Sequence, residues 1–385
     1  MPPHAGSCDL LIVGASFAGL VAARTAAMRG VDVVVLEAKP EAGAHVATTG
    51  ILVKEAAEEI DLPHALTRRV HGVRLHAPNL RHIDLFSPGS FFLTTDTANL
   101  LRWLAREALR AGARIRYGTR FAGAERAGNR FRIAGLDLDA RYILGADGAR
   151  SAVARHFGLG RNERFLVGVE AEFEGLDTVD PRFLHCFLDR NLAPGYLAWV
   201  APGPHVTQVG VAAGAGRRVS LPAFLARTEP MFGFSRARII ERRAGRIPAG
   251  GLVRPWSAPG IMLVGDAAGM VSPATGGGIR LAFQFGRRAA QAIADHLLHL
   301  GPAPETVLAR ELPRFRLKRL MRFGLDVALP NMLVDAAIAT PPMRWLAAHV
   351  YFHRRSATGI SFAEFEARIA ASAGDHPRPA RSEAV

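Results

Sequence analysis

Residues 9–37 leave this chain the fewest choices of fold. Residues 9–13 are a short apolar run, Gly14-Ala15-Ser16-Phe17-Ala18-Gly19 is a glycine-bounded turn, and residues 20–29 read as a helix. Residues 31–36 form a second apolar run that ends at Glu37. Two buried strands joined through a helix make a parallel βαβ unit with both faces covered, which commits the chain to an α/β architecture. Glycines in the turn let bare backbone approach a ligand, and the free N–H groups of the following helix favour negative charge. The acid lies about 20 residues beyond the glycines, where a dinucleotide presents its ribose hydroxyls. Ser16 stands in place of the usual second glycine and is small enough to admit a pyrophosphate. A serine nucleophile elbow requires GxSxG, and Ala18 fills the last position, so hydrolase chemistry is rejected.

A second block narrows the ligand. Residues 261–264 read as a buried strand that runs into Gly265-Asp266, crosses a small-residue turn, and reaches Pro273-Ala274-Thr275-Gly276-Gly277-Gly278 and a long helix opening at Ile279. An acid, a turn and a glycine-rich helix entrance coincide here, which suits a flat ring whose reduced form carries negative charge. Asp266 is placed to meet the ribityl hydroxyls of a flavin, Gly276, Gly277 and Gly278 to stabilise the reduced ring, and Pro273 and Thr275 to fix the turn. In a third block, residues 141–145 form a strand and Asp147-Gly148 turns sharply across the pyrophosphate region. The three blocks in this order indicate bound FAD.

With these blocks on the page, the chain resembles the FAD-dependent oxidoreductases of the para-hydroxybenzoate hydroxylase fold, and within them the geranylgeranyl reductase family. The segment PATGGGIRLAFQFGRRAA is similar to that family's PLTGEGIxxAxxSGRxAA loop, where hydroxylases carry a PxxGQGMN-type loop. Tyr196, Leu197, Ala198 and Trp199 resemble the family's YxWxFP segment, with one extra residue between tyrosine and tryptophan. Tyr196 and Trp199 are therefore candidates for the substrate pocket. Thr49-Gly50 stands where several members have Cys-Gly, and Thr97 where hydroxylases place a phosphate-facing arginine. The resemblance implies hydride transfer from reduced flavin N5 to a carbon–carbon double bond of an isoprenoid or lipid-like substrate. NADPH or a reduced ferredoxin would be the electron donor. No catalytic acid is identified; Tyr196, His45 and His185 are the candidates.

The expected fold is a Rossmann-type FAD-binding domain (1–72, 95–160 and 257–300) with an inserted antiparallel β substrate domain (73–94 and 161–256). A C-terminal helical region (301–372) and a disordered tail (373–385) follow. Segments 73–76, 81–86, 91–94, 165–173, 183–188, 206–212 and 237–246 are expected to share one antiparallel sheet above the flavin. An apolar middle containing Phe183, Phe187, Leu197 and Trp199 is expected to face the substrate.

The 385 residues, 49% of them hydrophobic, suffice for a large core. Cys8 and Cys186 have no metal spacing, so no metal site and no disulfide framework are expected, and the thiols suit a reducing cytoplasm. No leader and no apolar run of about 18 residues is seen. The formal charge of +14 comes almost wholly from arginine. Aromatics do not interleave with the arginines, so no nucleic-acid partner is expected. Arg314, Arg316, Lys318, Arg319 and Arg322 cluster among apolar residues at 312–323, either as a solvated helix or as a surface for anionic lipid on the inner membrane face. The rival readings are a flavin monooxygenase, a flavin halogenase, and a non-catalytic or RNA-binding flavoprotein.

Overall fold

Strand Ser7–Val13 lies within a parallel sheet, with Val33–Leu36 on one side and Asp139–Gly145 on the other. Arg114–Arg116 and Ile261–Leu263 extend the parallel order outward, and short antiparallel strands fringe one side. The chain is described by a computed structural model over residues 6–327 and 329–352. The tail expected from 373, and the last part of the expected helical region, lie outside these residues. Leu10, Leu11, Ile12, Val33, Val34 and Val35 are fully buried, as residues of a doubly covered parallel sheet must be. Helix Phe17–Met28 and helix Ile279–Leu297 cover the sheet and touch backbone to backbone. A side chain at Gly286 would come within 2.5 Å of the Ala18 carbonyl oxygen.

The second sheet has seven strands in the order Arg238–Pro248, Phe165–Glu174, Thr207–Gly214, Ala198–Pro202, Phe183–Phe187, Gly72–His76, His82–Phe86. Two expectations need correcting. Strand Phe92–Thr95 does not join this sheet but pairs with Ile51–Val53 and Thr67–Val70 in a separate three-stranded sheet. The large sheet is also not wholly antiparallel, because Phe183–Phe187 runs parallel to Gly72–His76. These strands are far apart in sequence, so no hairpin forces them to be antiparallel.

Four helices close the described chain: Pro304–Glu311, Arg316–Val327, Asn331–Ala337 and Pro341–Phe352. The basic cluster at 312–323 is not one helix. Helix starts only at Arg316, after a non-helical link containing Pro313, which has no N–H to donate. Helix Arg316–Val327 is turned inside out: its one buried residue is Arg322, while Leu317, Leu320 and Phe323 are each about two-thirds exposed. Leu329, Met332, Trp345 and Leu346 continue the exposed apolar surface. Among the described residues no helix is long and apolar enough to cross a membrane.

Candidate cofactor and substrate site

The first glycine turn is held by contacts that leave no room for side chains. Gly14 has φ +104° and its N–H donates to the Leu36 carbonyl at 2.8 Å. A Cβ on Gly14 would strike the Ala146 carbonyl, and one on Gly19 would strike the carbonyl of Gly14 itself. Glu37, almost buried, closes the turn: its carboxylate accepts from the Ala15 N–H at 2.7 Å and from the Lys39 N–H at 2.9 Å. Lys39, Arg120 and Arg150 line the cavity beside this turn.

Asp147 sits against the Gly14 turn and caps helix Ala152–His156, accepting from the Ala152 N–H at 2.5 Å and the Val153 N–H at 3.2 Å. Its second carboxylate oxygen is buried and has no partner among the described residues. Burial raises its pKa above the ordinary carboxylate value, against the hydrogen bonds that lower it. Gly148 has φ +79°, with open space beyond it.

Asp266 lies in the tight turn Gly265–Ala268, and burial pushes its pKa up to about 6. Among the described residues no protein donor meets its carboxylate. Gly276 has φ +65°, the left-handed conformation that glycine tolerates best. The N–H groups of Gly277 and Gly278 have no protein acceptor among the described residues, and helix Ile279–Leu297 begins immediately after them. Unpaired N–H groups at a helix N-terminus are an anion site. The Tyr196 hydroxyl donates to the Thr275 carbonyl at 2.5 Å and so pins the loop. Arg322 holds Gly195 in turn, by a hydrogen bond to its carbonyl.

One cavity of about 990 Å³ joins all of this. Gly14, Ser16, Phe17, Ala18, Glu37, Asp147, Gly148, Asp266, Thr275, Gly276, Gly277, Gly278, Ile279, Tyr196 and Trp199 line it. Ala15, Gly19 and Pro273 stand behind the wall: the first binds Glu37, the second packs on Gly14, and the third lies beside Gly251. His45 reaches the cavity. His185 lies outside the lining, packed edge-on against Phe232, and burial pushes its pKa down to about 4. Phe183 and Phe187 also miss the cavity, contrary to expectation. Strand alternation turns Leu184 and Cys186 inward instead, and Phe187 packs on Phe224.

The sequence reading missed a charged roof. Glu170 accepts from the Trp199 indole N–H at 2.9 Å, from Arg243 at 2.7 Å, and from the Thr49 hydroxyl. Arg243 also reaches Glu172 at 2.6 Å. Burial works against the charge on Arg243, but the flanking carboxylates overcome it and raise its pKa. Val350 and Tyr351, at the end of helix Pro341–Phe352, complete the wall. Nothing in sequence spacing marks Glu170 or Arg243, and Arg243 lies on a largely exposed edge strand rich in arginine.

The residues fit FAD. A glycine turn with an acid at the adjacent strand end suits the adenosine ribose and pyrophosphate. A half-buried carboxylate, Asp266, that no protein donor meets among the described residues, and free N–H groups at a helix entrance suit the ribityl chain and the ring. Fold and site together define an FAD-dependent oxidoreductase. Residues 7–309 match the family described as FAD binding domain. Digeranylgeranylglycerophospholipid reductase of Methanothrix thermoacetophila is 33% identical over 320 residues, 79% of this chain and 82% of the relative. A solved structure, a geranylgeranyl bacteriochlorophyll reductase-like protein from Thermoplasma acidophilum, superposes with a TM-score of 0.77 at 25% identity, covering 91% of this chain and 97% of the other. The fold is shared with p-nitrophenol 4-monooxygenase of Pseudomonas putida, at a TM-score of 0.69 and 15% identity over 92% of this chain and 100% of the other. The chain belongs to the geranylgeranyl reductase family of the FAD-binding oxidoreductases.

Proposed function

We propose that the enzyme reduces carbon–carbon double bonds of an isoprenoid or lipid-like substrate. The observation that carries this is the joined cavity, in which the glycine loop shares its walls with Ile51, Val53, Phe92, Leu184, Val200 and Val350. Such a chamber suits a long hydrocarbon, and relatives named as digeranylgeranylglycerophospholipid reductases support the choice. Bound FAD supplies hydride chemistry. The protein's own part is to hold that cofactor at the two glycine turns, with Glu37, Asp147 and Asp266 as acceptors for its hydroxyls and Gly276, Gly277 and Gly278 at the ring. Apolar walls keep water from the double bond, and Tyr196 and Trp199 flank the substrate. NADPH or a reduced ferredoxin delivers the electrons; reducing the protein anaerobically with each in turn distinguishes them.

The exposed apolar face at Leu317, Leu320, Phe323, Met332 and Trp345, set among arginines, rests on an anionic membrane at the inner surface. It belongs beside the chamber because helix Pro341–Phe352 has Val350 and Tyr351 in the cavity wall and Trp345 and Leu346 outside.

The deciding experiment mixes the reduced protein anaerobically with a polyprenyl lipid. Reoxidation of the flavin with products heavier by hydrogen pairs is the expected result. Reoxidation by oxygen alone, with an oxygenated product, would establish a monooxygenase instead.

A further inference from the structure

The roof of the cavity is organised as a single row across the seven-stranded sheet. Arg243 is the register partner of Glu170, Glu170 of Gly210, Gly210 of Trp199, and Trp199 of Cys186. Side chains directly opposite one another on adjacent strands point to the same face. Arg243, Glu170, Trp199 and Cys186 accordingly all line the cavity. Gly210 interrupts the row with no side chain. The Trp199 indole fills that gap, lying across Gly210 to bring its N–H to Glu170 at 2.9 Å. A Cβ on Gly210 would come within 2.5 Å of indole Cε2 and closer still to Cζ2. Two ring atoms of a locked side chain cannot yield as the far end of a flexible chain does.

We infer that Gly210 and Glu170 set the depth of the substrate chamber by laying the Trp199 indole flat against the sheet. They thereby fix which lengths of hydrocarbon chain the enzyme accepts. Glu170 is a positioning residue, held in place by Arg243, whose side chain and that of Glu170 are 7% and 6% exposed. The Thr49 hydroxyl bonds the same Glu170 oxygen as the indole, which ties the roof to the loop before Gly50. The chemistry of the recognised group follows from the wall. An indole face and Leu184, Val200 and Val350 meet hydrocarbon, while the charges of the row are spent on one another. The inference rests on the proposed hydrophobic substrate, and adds the residues that measure its length.

Gly210→Ala pushes the indole into the chamber without altering any charge. Glu170→Gln keeps an oxygen acceptor for the indole but removes the charge that holds Arg243. Glu170→Ala leaves Arg243 with Glu172 as its close partner; because breaking a buried ion pair endangers folding, the Gly210 variant is the principal test. The probes are geranyl, farnesyl and geranylgeranyl phosphates, with kcat and KM measured anaerobically. For Gly210→Ala the ratio of KM for the longest to that for the shortest probe should rise about 10-fold or more. FAD affinity should stay within about twofold, since the row does not include the glycine turns. A second readout needs no substrate. The emission of Trp199, isolated by difference against Trp199→Phe, should shift in Gly210→Ala and Glu170→Gln as the indole leaves its slot. An unchanged length profile and unchanged emission in Gly210→Ala overturn the inference even when the wild-type enzyme reduces prenyl probes. Wild-type protein that reduces none of them overturns the functional reading instead. The emission shift then still decides whether Gly210 and Glu170 hold the indole.

Discussion

Helix Phe17–Met28 and helix Arg316–Val327 are each 12 residues long and stand in opposite relations to the molecule. The first buries eight residues, most of them alanine or glycine. It is clasped between the parallel sheet and helix Ile279–Leu297, and only small side chains allow that approach. The second buries one arginine and presents leucine and phenylalanine to the outside. Its inner side is occupied by polar work: Arg322 bonds the Gly195 carbonyl and pairs with Asp326. The contrast teaches that an apolar stripe announces burial without saying in what. In the first helix the partner is the protein core. In the second no partner lies within the described protein, and a membrane surface is the one proposed above.

The comparison breaks most decisively at Gly19. Gly19→Val drives a branched side chain into the Gly14 carbonyl, so the turn cannot close. We expect a loss of at least ~3 kcal/mol, together with the yellow colour of bound flavin. Thermal unfolding and visible absorbance measure both; a stable, yellow variant would show that the turn is not held as described. Gly277→Val separates ligand from fold. A Cβ there meets nothing nearer than the Thr275 hydroxyl oxygen at 3.4 Å, and the backbone is not left-handed. Stability should therefore change by no more than about 0.5 kcal/mol, while FAD affinity falls about 10- to 100-fold. Titration of the apoprotein with FAD checks this, and unchanged affinity would move the ring away from this glycine.

Asp266 sharpens the contrast between a site built for a ligand and one built for stability. Its folded pKa of about 6 lies above the ordinary 3.8. Its stabilising contribution is therefore fully present below the unfolded value and is lost as pH rises through about 6. Asp266→Asn should leave the apoprotein unchanged near pH 3.8 and stabilise it by about 1–2 kcal/mol at pH 7–8. The same change should weaken FAD binding. Denaturant titrations across pH test the sign, and destabilisation at pH 8 would refute it. The smallest effect is expected on the inside-out helix. Leu320→Ala should alter stability in solution by less than about 0.5 kcal/mol, yet reduce sedimentation with vesicles containing anionic phosphatidylglycerol. A large loss of stability would return Leu320 to a core.

What the sequence disclosed was local. Residues 9–37 dictate their own βαβ unit because strand, turn, helix and acid are contiguous, and Gly276, Gly277 and Gly278 mark their helix entrance for the same reason. What it concealed was register. Whether Phe183 or Leu184 faces the cavity depends on a one-residue choice in a strand buried throughout, where no alternation of polar and apolar residues betrays the inner face. Strand Phe92–Thr95 looked like its neighbours in sequence and went to another sheet, a matter of pairing with Thr67–Val70 and Ile51–Val53, neither of them its neighbour in the chain. Glu170 and Arg243 remained invisible because 73 residues separate them. Only the folded sheet brings them side by side.

Helix Pro341–Phe352 has one end of its surface in the cavity wall and another facing outward through Trp345 and Leu346. Its consequence is kinetic. Lifting a hydrocarbon chain through water costs about 0.8 kcal/mol for each methylene exposed. A stretch of ten such groups would thus raise a barrier of about 8 kcal/mol, close to six decades in rate. On the proposed membrane contact, a helix with Val350 in the chamber wall and Trp345 and Leu346 outside would let the chain pass from lipid to chamber without that exposure. Turnover would then depend on how fast the substrate diffuses laterally, and diluting it within the bilayer would slow the enzyme even at constant total concentration.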